Sequence, residues 1–266
     1  MAKPSVRQAV AALALLLAAP GLAVELTYLA NEGVLLRQGE ITVVIDGLFR
    51  NGIDPYARHA AGELDKLERA EPPYDRVRLA LVSHLHGDHF DAASVARFLT
   101  SAPMARLVSS QQVADAVAAL HKERVEGVLP EDGRKVTRSF GGVSVTLFRL
   151  SHGGGRHASV QNLGHIVRIG GVSFLHIGDA EPGAARFDLY ELPKEKIDVA
   201  MVPFWYLTDP RGRTVVNTLI RPRQLVAFHL PPSEYDRWAP QILANYPKAV
   251  ILRTPGSSHS FPTMAK

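Results

Sequence analysis

The stretch Ser83-His84-Leu85-His86-Gly87-Asp88-His89-Phe90-Asp91 sets three imidazoles and a carboxylate within six consecutive residues, His84 to His89. Histidine is scarce in apolar cores, so such a run asks for a chemical reason. In an extended segment His84 and His86 point the same way. Gly87 then lets the chain turn sharply, aiming Asp88 and His89 at a neighbouring point. Nitrogen and oxygen donors of this kind suit Zn²⁺, with Fe or Mn as alternatives where carboxylates contribute. The plainer reading is a His-rich surface loop that scavenges metal. The flanks argue against it: the apolar, strand-like Val77–Val82 precedes the run, and a helix-like segment, Ala92–Leu99, follows with Asp91 as its cap.

Working outward, Leu26–Leu29, Gly33–Arg37 and Ile41–Ile45 read as strands, after which Asp46-Gly47-Leu48-Phe49 leaves the sheet. Residues 51–76 form a Pro-, Ala- and charge-rich excursion with a helical centre from Ala57 to Glu68, of the kind that serves as a lid or pocket wall. Further strands are expected at Arg106–Val108, Lys135–Arg138, Val143–Arg149, Leu163–Ile169, Val172–Ile177, Val199–Val202, Leu225–Phe228 and Ala249–Leu252. Helices are expected at Gln111–His121 and Ser233–Asn245. Strands lead and helices intervene in each half, which suggests two sheets packed face to face with helices outside. No internal repeat and no linker that demands separate domains stands out.

Three isolated residues share one placement. His152, Asp179 and His229 each end, or closely follow, an expected strand. That edge is where functional groups gather in sheet-based enzymes. Singly, His152 is equally a turn residue before Gly153-Gly154-Gly155, Asp179 a cap, and His229 a buried hydrogen-bonded histidine. Their common position with respect to the histidine run favours the metal-binding reading.

At the N-terminus, Lys3 and Arg7 precede the apolar stretch Ala9–Ala19 and then Pro20-Gly21-Leu22-Ala23. This is the pattern of a secretory signal peptide over residues 1–23, cleaved near Ala23, with residues 24–266 as the mature domain. The stretch is short for a membrane span, so none is expected in the mature chain. The expected address is therefore periplasmic or extracellular. The absence of cysteine from the sequence removes disulfides, thiolate-held zinc, lipid anchoring through cysteine and thiol nucleophiles. The net charge is +4, of which Lys3 and Arg7 supply two, and the remaining +2 is too small to argue for nucleic acid as a partner.

Taken together, the Asn31-Glu32-Gly33 and Ile45-Asp46-Gly47 turns, the HxHxDH run, the later His152, Gly178-Asp179 after a strand, and the late His229 resemble the metallo-β-lactamase superfamily over nearly all of the mature chain. The resemblance implies an α+β fold, a four-layer αββα sandwich with metals at one edge between the sheets. It implies that His84, His86 and His152 hold one divalent ion, that Asp88, His89 and His229 hold a second, and that Asp179 bridges them. Keeping both Asp88 and Asp179, without cysteine, is more like the hydrolase, lactonase and phosphodiesterase branches than the antibiotic-degrading ones. The Leu85 and Gly87 spacers and the Gly-Asp-Ala continuation are similar to the branch of ascorbate-phosphate lactonases and N-acyl phospholipid phosphodiesterases.

Among the other histidines, His157 is a rival to His152 or a substrate contact; His152 is favoured because it ends its strand directly. His165 reads as a satisfied core histidine, and His176 as a supporting partner for the ligands. His59, His121 and His259 read as solvated. Phe204-Trp205-Tyr206 suggests pocket lining by Trp205 and Tyr206, with the Tyr206 hydroxyl as an oxyanion donor.

The expected activity follows from two divalent ions, Zn²⁺ first among them. A water shared by two cations loses its proton near neutral pH, and Asp88 orients it and passes the proton on. The substrate is expected to be a small or lipid-like ester, lactone, amide or phosphodiester. Two alternatives stand beside this reading: a di-iron redox or oxygen-handling protein on the same fold, and a non-catalytic periplasmic protein that binds metal or ligand.

Overall fold

The computed structural model describes residues 23–263, so the expected signal segment, residues 1–22 of it, lies outside the described residues. Two seven-stranded sheets make up the molecule. The first runs in the spatial order β14 (Ser258–Pro262), β1 (Ala23–Ala30), β2 (Gly33–Gln38), β3 (Ile41–Ile45), β4 (Val77–Val82), β5 (Arg106–Ser110), β6 (Val125–Val128). The second runs β13 (Val250–Ile251), β12 (Gln224–Phe228), β11 (Val199–Pro203), β10 (Val172–His176), β9 (Gln161–Ile169), β8 (Val143–Ser151), β7 (Lys135–Phe140).

The period-2 alternation of these strands explains why the sheets stack. In β8 the side chains of Val143, Val145 and Leu147 enter one apolar cluster with Leu26, Leu36, Ile45 and Leu81 of the first sheet and with Phe174, Met201 and Phe228 of the second. A second cluster lies on the outer face of the first sheet, beneath α1 (Glu63–Glu68), α2 (Ala92–Ser101) and α3 (Gln111–His121). A third covers the outer face of the second sheet, where α4 (Ala184–Asp188), α5 (Trp205–Thr208), α6 (Pro210–Thr214), a π-turn at Val215–Ile220 and α7 (Tyr235–Asn245) pack. The layers are therefore helix, sheet, sheet, helix. Among the described residues no helix is long and apolar enough to cross a membrane.

Most expected elements are present, and four features differ. Helix α1 begins at Glu63 rather than Ala57, because Gly62 at φ 77° breaks the helical path just before it. Strand β6 is short and holds Gly127, which obscured it in the sequence. Strand β14 was missed because its alternation, Ser258-His259-Ser260-Phe261, offers a single apolar side chain; it pairs with β1 through Leu26↔His259 and Val24↔Phe261. His59 is not solvated: it is half-buried, its ring lies 5.0 Å from Phe49, and burial pushes its pKa down to about 4.

Strands β3 to β6 run parallel, as do β10 to β13. In both sheets the carboxyl ends of these strands reach one edge of the sandwich, and the histidine run leaves β4 there.

Candidate metal centre

After β4 the backbone stays extended through His84 and then turns, with the amides of His89 and Phe90 both donating to the His86 carbonyl at 3.0 and 2.9 Å. The turn sends His84 inward, fully buried, and leaves Leu85 39% exposed on the opposite side. Asp91 accepts a hydrogen bond from the Ser94 amide at 2.7 Å and starts α2. This anchors the far end of the run.

His84 Nε2 lies 3.1 Å from His86 Nδ1 and 3.1 Å from His152 Nε2. Two nitrogens bound to one tetrahedral zinc at 2.0–2.1 Å stand about 3.3–3.4 Å apart, so this triplet is nearly at ligand spacing. The carboxylate of Asp179 then faces two ways. Its Oδ2 lies 3.4 Å from His152 Nε2 and 3.8 Å from His84 Nε2. Its Oδ1 lies 3.1 Å from His229 Nε2 and 3.5 Å from His89 Nε2. Asp88 Oδ2 completes the second group at 3.7 Å from both His89 Nε2 and His229 Nε2. The structure thus gathers His84, His86, His152 and Asp179 into one cluster and Asp88, His89 and His229 into an adjoining one.

The donor set fits divalent ions. His89 Nε2, His229 Nε2 and Asp179 Oδ1 are buried and have no hydrogen-bond partner. Buried polar atoms are seldom left so, and a shared cation satisfies them together. Burial, reinforced by neighbouring imidazoles, holds His84 well below its ordinary pKa and His86 at about 4, so both are neutral donors as ligation requires. Burial opposes the charge on Asp179, yet His229 and His89 hold its carboxyl well below the usual range.

Residues behind the cluster orient it. Asp46, at the end of β3, accepts from the Ser83 amide at 2.7 Å and the Ser83 hydroxyl at 2.5 Å, and lies 2.8 Å from His89 Nδ1. This contact leaves His89 Nε2 free to face the centre. Asn31 Nδ2 donates to Asp88 Oδ2 at 3.0 Å. His176 is fully buried, with Nε2 3.2 Å from the Glu32 carbonyl and Nδ1 accepting from the Gly178 amide at 3.2 Å. Asn31, Asp46 and His229 all hold positive φ, at 43°, 46° and 57°. Such strain in non-glycine residues gathers where function requires a particular direction.

His157 stacks on His152 with ring centroids 4.8 Å apart, but it is His152 whose Nε2 joins the nitrogen cluster. Trp205 sits edge-on to His229 at 5.1 Å. Tyr206 is a correction: it is fully buried and its hydroxyl donates to the Ala180 carbonyl at 3.0 Å, so the oxyanion role expected of it falls away. His165 is buried as expected but not satisfied, since neither ring nitrogen has a partner among the described residues. Two residues that sequence reasoning passed over stand at the site. Tyr56, from the 51–76 excursion, packs edge-on to His229 at 4.0 Å. Glu32 is wholly buried behind Asp179. The available signal for Glu32 was its place in the polar Asn31-Glu32 turn between the apolar Leu29-Ala30 and Val34-Leu35-Leu36.

Known proteins resemble this chain in sequence and in fold. The family model of the beta-lactamase superfamily domain matches residues 43–245. A metal-dependent hydrolase from Thermococcus kodakarensis is 28% identical over 205 residues, covering 76% of this chain and 84% of its own. Among solved structures, a metallo hydrolase from Ignicoccus hospitalis superposes with a TM-score of 0.58 at 19% identity, covering 90% of this chain and 98% of its own. A diiron β-hydroxylase from Streptomyces venezuelae superposes with a TM-score of 0.62 at 16% identity, over 91% of this chain but 54% of its own. The chain therefore belongs to the beta-lactamase superfamily, as a metal-dependent hydrolase of the metallo-β-lactamase fold.

Proposed function

We propose that the protein is a two-metal hydrolase in which His84, His86 and His152 hold one divalent ion, Asp88, His89 and His229 hold the other, and Asp179 is shared. The observation that carries this reading is Asp179, whose Oδ2 faces the first imidazole group and whose Oδ1 faces the second. Zn²⁺ leads at the three-imidazole position, since imidazole and tetrahedral spacing suit it. The substrate is an ester, lactone, amide or phosphodiester. The signal-like residues 1–23 support export to the periplasm or beyond.

When bound, such ions supply Lewis acidity and a water that loses its proton near neutral pH. The chain's own side chains do the rest. Asp88, oriented by the bond that Oδ2 accepts from Asn31, is placed to hold a proton at its other oxygen, Oδ1, and deliver it to a leaving group. Asp46 keeps His89 in one orientation. Tyr56 and Trp205 cover the flank of His229 and exclude water from that side. A cleft of about 280 Å³ opens beside His152, lined by Arg149, Ser151, Glu181 and Arg186.

Metal analysis of the purified full chain, followed by a panel of ester, lactone, amide and phosphodiester substrates, tests the proposal. Two divalent ions per chain and turnover of one substrate class are expected. Asp88→Asn is expected to lower turnover by about a hundredfold or more. Iron with a visible absorption band and no hydrolysis would shift the reading to a di-iron redox protein; full activity in Asp88→Asn would remove the mechanism.

A further inference from the structure

Glu32 sits in the β1–β2 turn with 0% of its surface exposed, and neither carboxylate oxygen has an N–H or O–H donor beside it; the neighbour it approaches is the carboxylate of Asp179. Its neighbours on the inner side are already engaged. Asp46 is held by Ser83 and His89, and His176 is occupied by the Glu32 carbonyl and the Gly178 amide. The nearest imidazole atoms on that side, His176 Nε2 at 3.7 Å and His89 Nδ1 at 3.9 Å, lie beyond hydrogen-bond reach of Oε2. On the other side a donor atom of Glu32 lies with one each of Asp179 and His229 in a group whose members are all within 4.8 Å of one another. Asp179 Oδ1 and His229 Nε2 stand 3.1 Å apart without a well-directed hydrogen bond to any side chain or backbone group. A buried carboxylate facing another carboxylate and a free imidazole nitrogen lacks one thing, a positive charge between them.

We propose that Glu32 is a ligand of the second ion, an inference that rests on the two-metal reading above. The two positions then differ in kind. The first offers three imidazoles and one shared carboxylate; the second offers two imidazoles, His89 and His229, and three carboxylates, Glu32, Asp88 and Asp179. Imidazole-rich sites suit Zn²⁺, whereas carboxylate-rich sites favour harder ions such as Mn²⁺. The protein is thus built to hold a mixed pair, Zn²⁺ at the first position and a harder ion, Mn²⁺ or Fe²⁺, at the second.

The test is metal binding, read by elemental analysis and Mn²⁺ paramagnetic resonance on the full chain after chelation and exposure to equimolar Zn²⁺ and Mn²⁺. Wild type is expected to retain one of each. Glu32→Gln keeps the side chain's size but replaces the carboxylate with a neutral amide, and is expected to bind Mn²⁺ at least about tenfold more weakly while retaining Zn²⁺. Glu32→Asp, which keeps the charge but draws it back by one methylene, is likewise expected to weaken Mn²⁺ binding while retaining Zn²⁺, and this variant decides the matter if Glu32→Gln does not fold. Wild type that binds neither ion removes the two-metal reading and this inference together. Wild type that binds two ions, with Mn²⁺ affinity unchanged in Glu32→Gln or in Glu32→Asp, overturns the role of Glu32 alone.

Discussion

A Cβ on Gly178 would lie 2.3 Å from Asn162 Oδ1 and 2.7 Å from Ser83 Cβ, and the residue holds φ at +54°. Space and backbone both demand glycine immediately before Asp179, the residue shared by the two histidine groups. Gly178→Ala is expected to cost about 1–3 kcal/mol from backbone strain and overpacking, measured by urea unfolding. It is also expected to lower the metal content of the purified protein by turning Asp179 away from one group. Retention of wild-type stability and full metal content in that variant would contradict the role given to Gly178. Asp46 shows how a single residue escapes a sequence reading. Its side chain matters through Ser83 and His89, residues 37 and 43 positions away.

Helices α1 and α2 are joined by Glu68, whose carboxylate accepts from Arg97 Nε at 2.6 Å, Arg97 Nη2 at 2.8 Å, Ser94 Oγ at 2.6 Å and Arg50 Nη2 at 2.5 Å. Burial alone would raise its pKa, but the hydrogen bonds from Arg97, Ser94 and Arg50 outweigh that and hold it at about 2, against an ordinary 4.5. A carboxylate with a depressed pKa adds stability that is fully present above its unfolded pKa and is lost as pH falls through the folded value. The loss is therefore expected between pH 4.5 and 2, and with the two arginines half in solvent it amounts to about 2 kcal/mol. Glu68→Gln is expected to flatten the acid limb of a stability–pH profile in that window; an unchanged profile would deny the clamp. The shortening of α1 belongs to this scale as well, since Gly62 ends the helical path that the apolar spacing alone would have carried back to Ala57.

Over the whole molecule, the apolar layer between the sheets ties distant parts of the chain together. Phe261 of β14 is 1% exposed and meets Phe174 of β10 edge-on at 5.6 Å. Through it the end of the described chain closes the first sheet beside β1 and packs on the second. Phe261→Ala is expected to cost about 3–5 kcal/mol, read as a lower denaturant midpoint with an unchanged slope. A cost below about 1 kcal/mol would mean that β14 only decorates the edge.

The sequence by itself determined the candidate ligand set and the main lines of the architecture. The HxHxDH run, and the positions of His152, Asp179 and His229 at strand ends, are local patterns, and strand alternation is written into successive residues. Only the tertiary structure decided that Glu32 lies against Asp179, that Tyr56 of the excursion reaches His229, and that Tyr206 turns away to Ala180. It also decided that β14 pairs with β1 across the length of the chain. The physical reason is the same in each case. Periodicity and spacing report which face of an element a residue occupies, whereas these contacts depend on how two sheets, each with its own turns, bring separate strand ends to one edge.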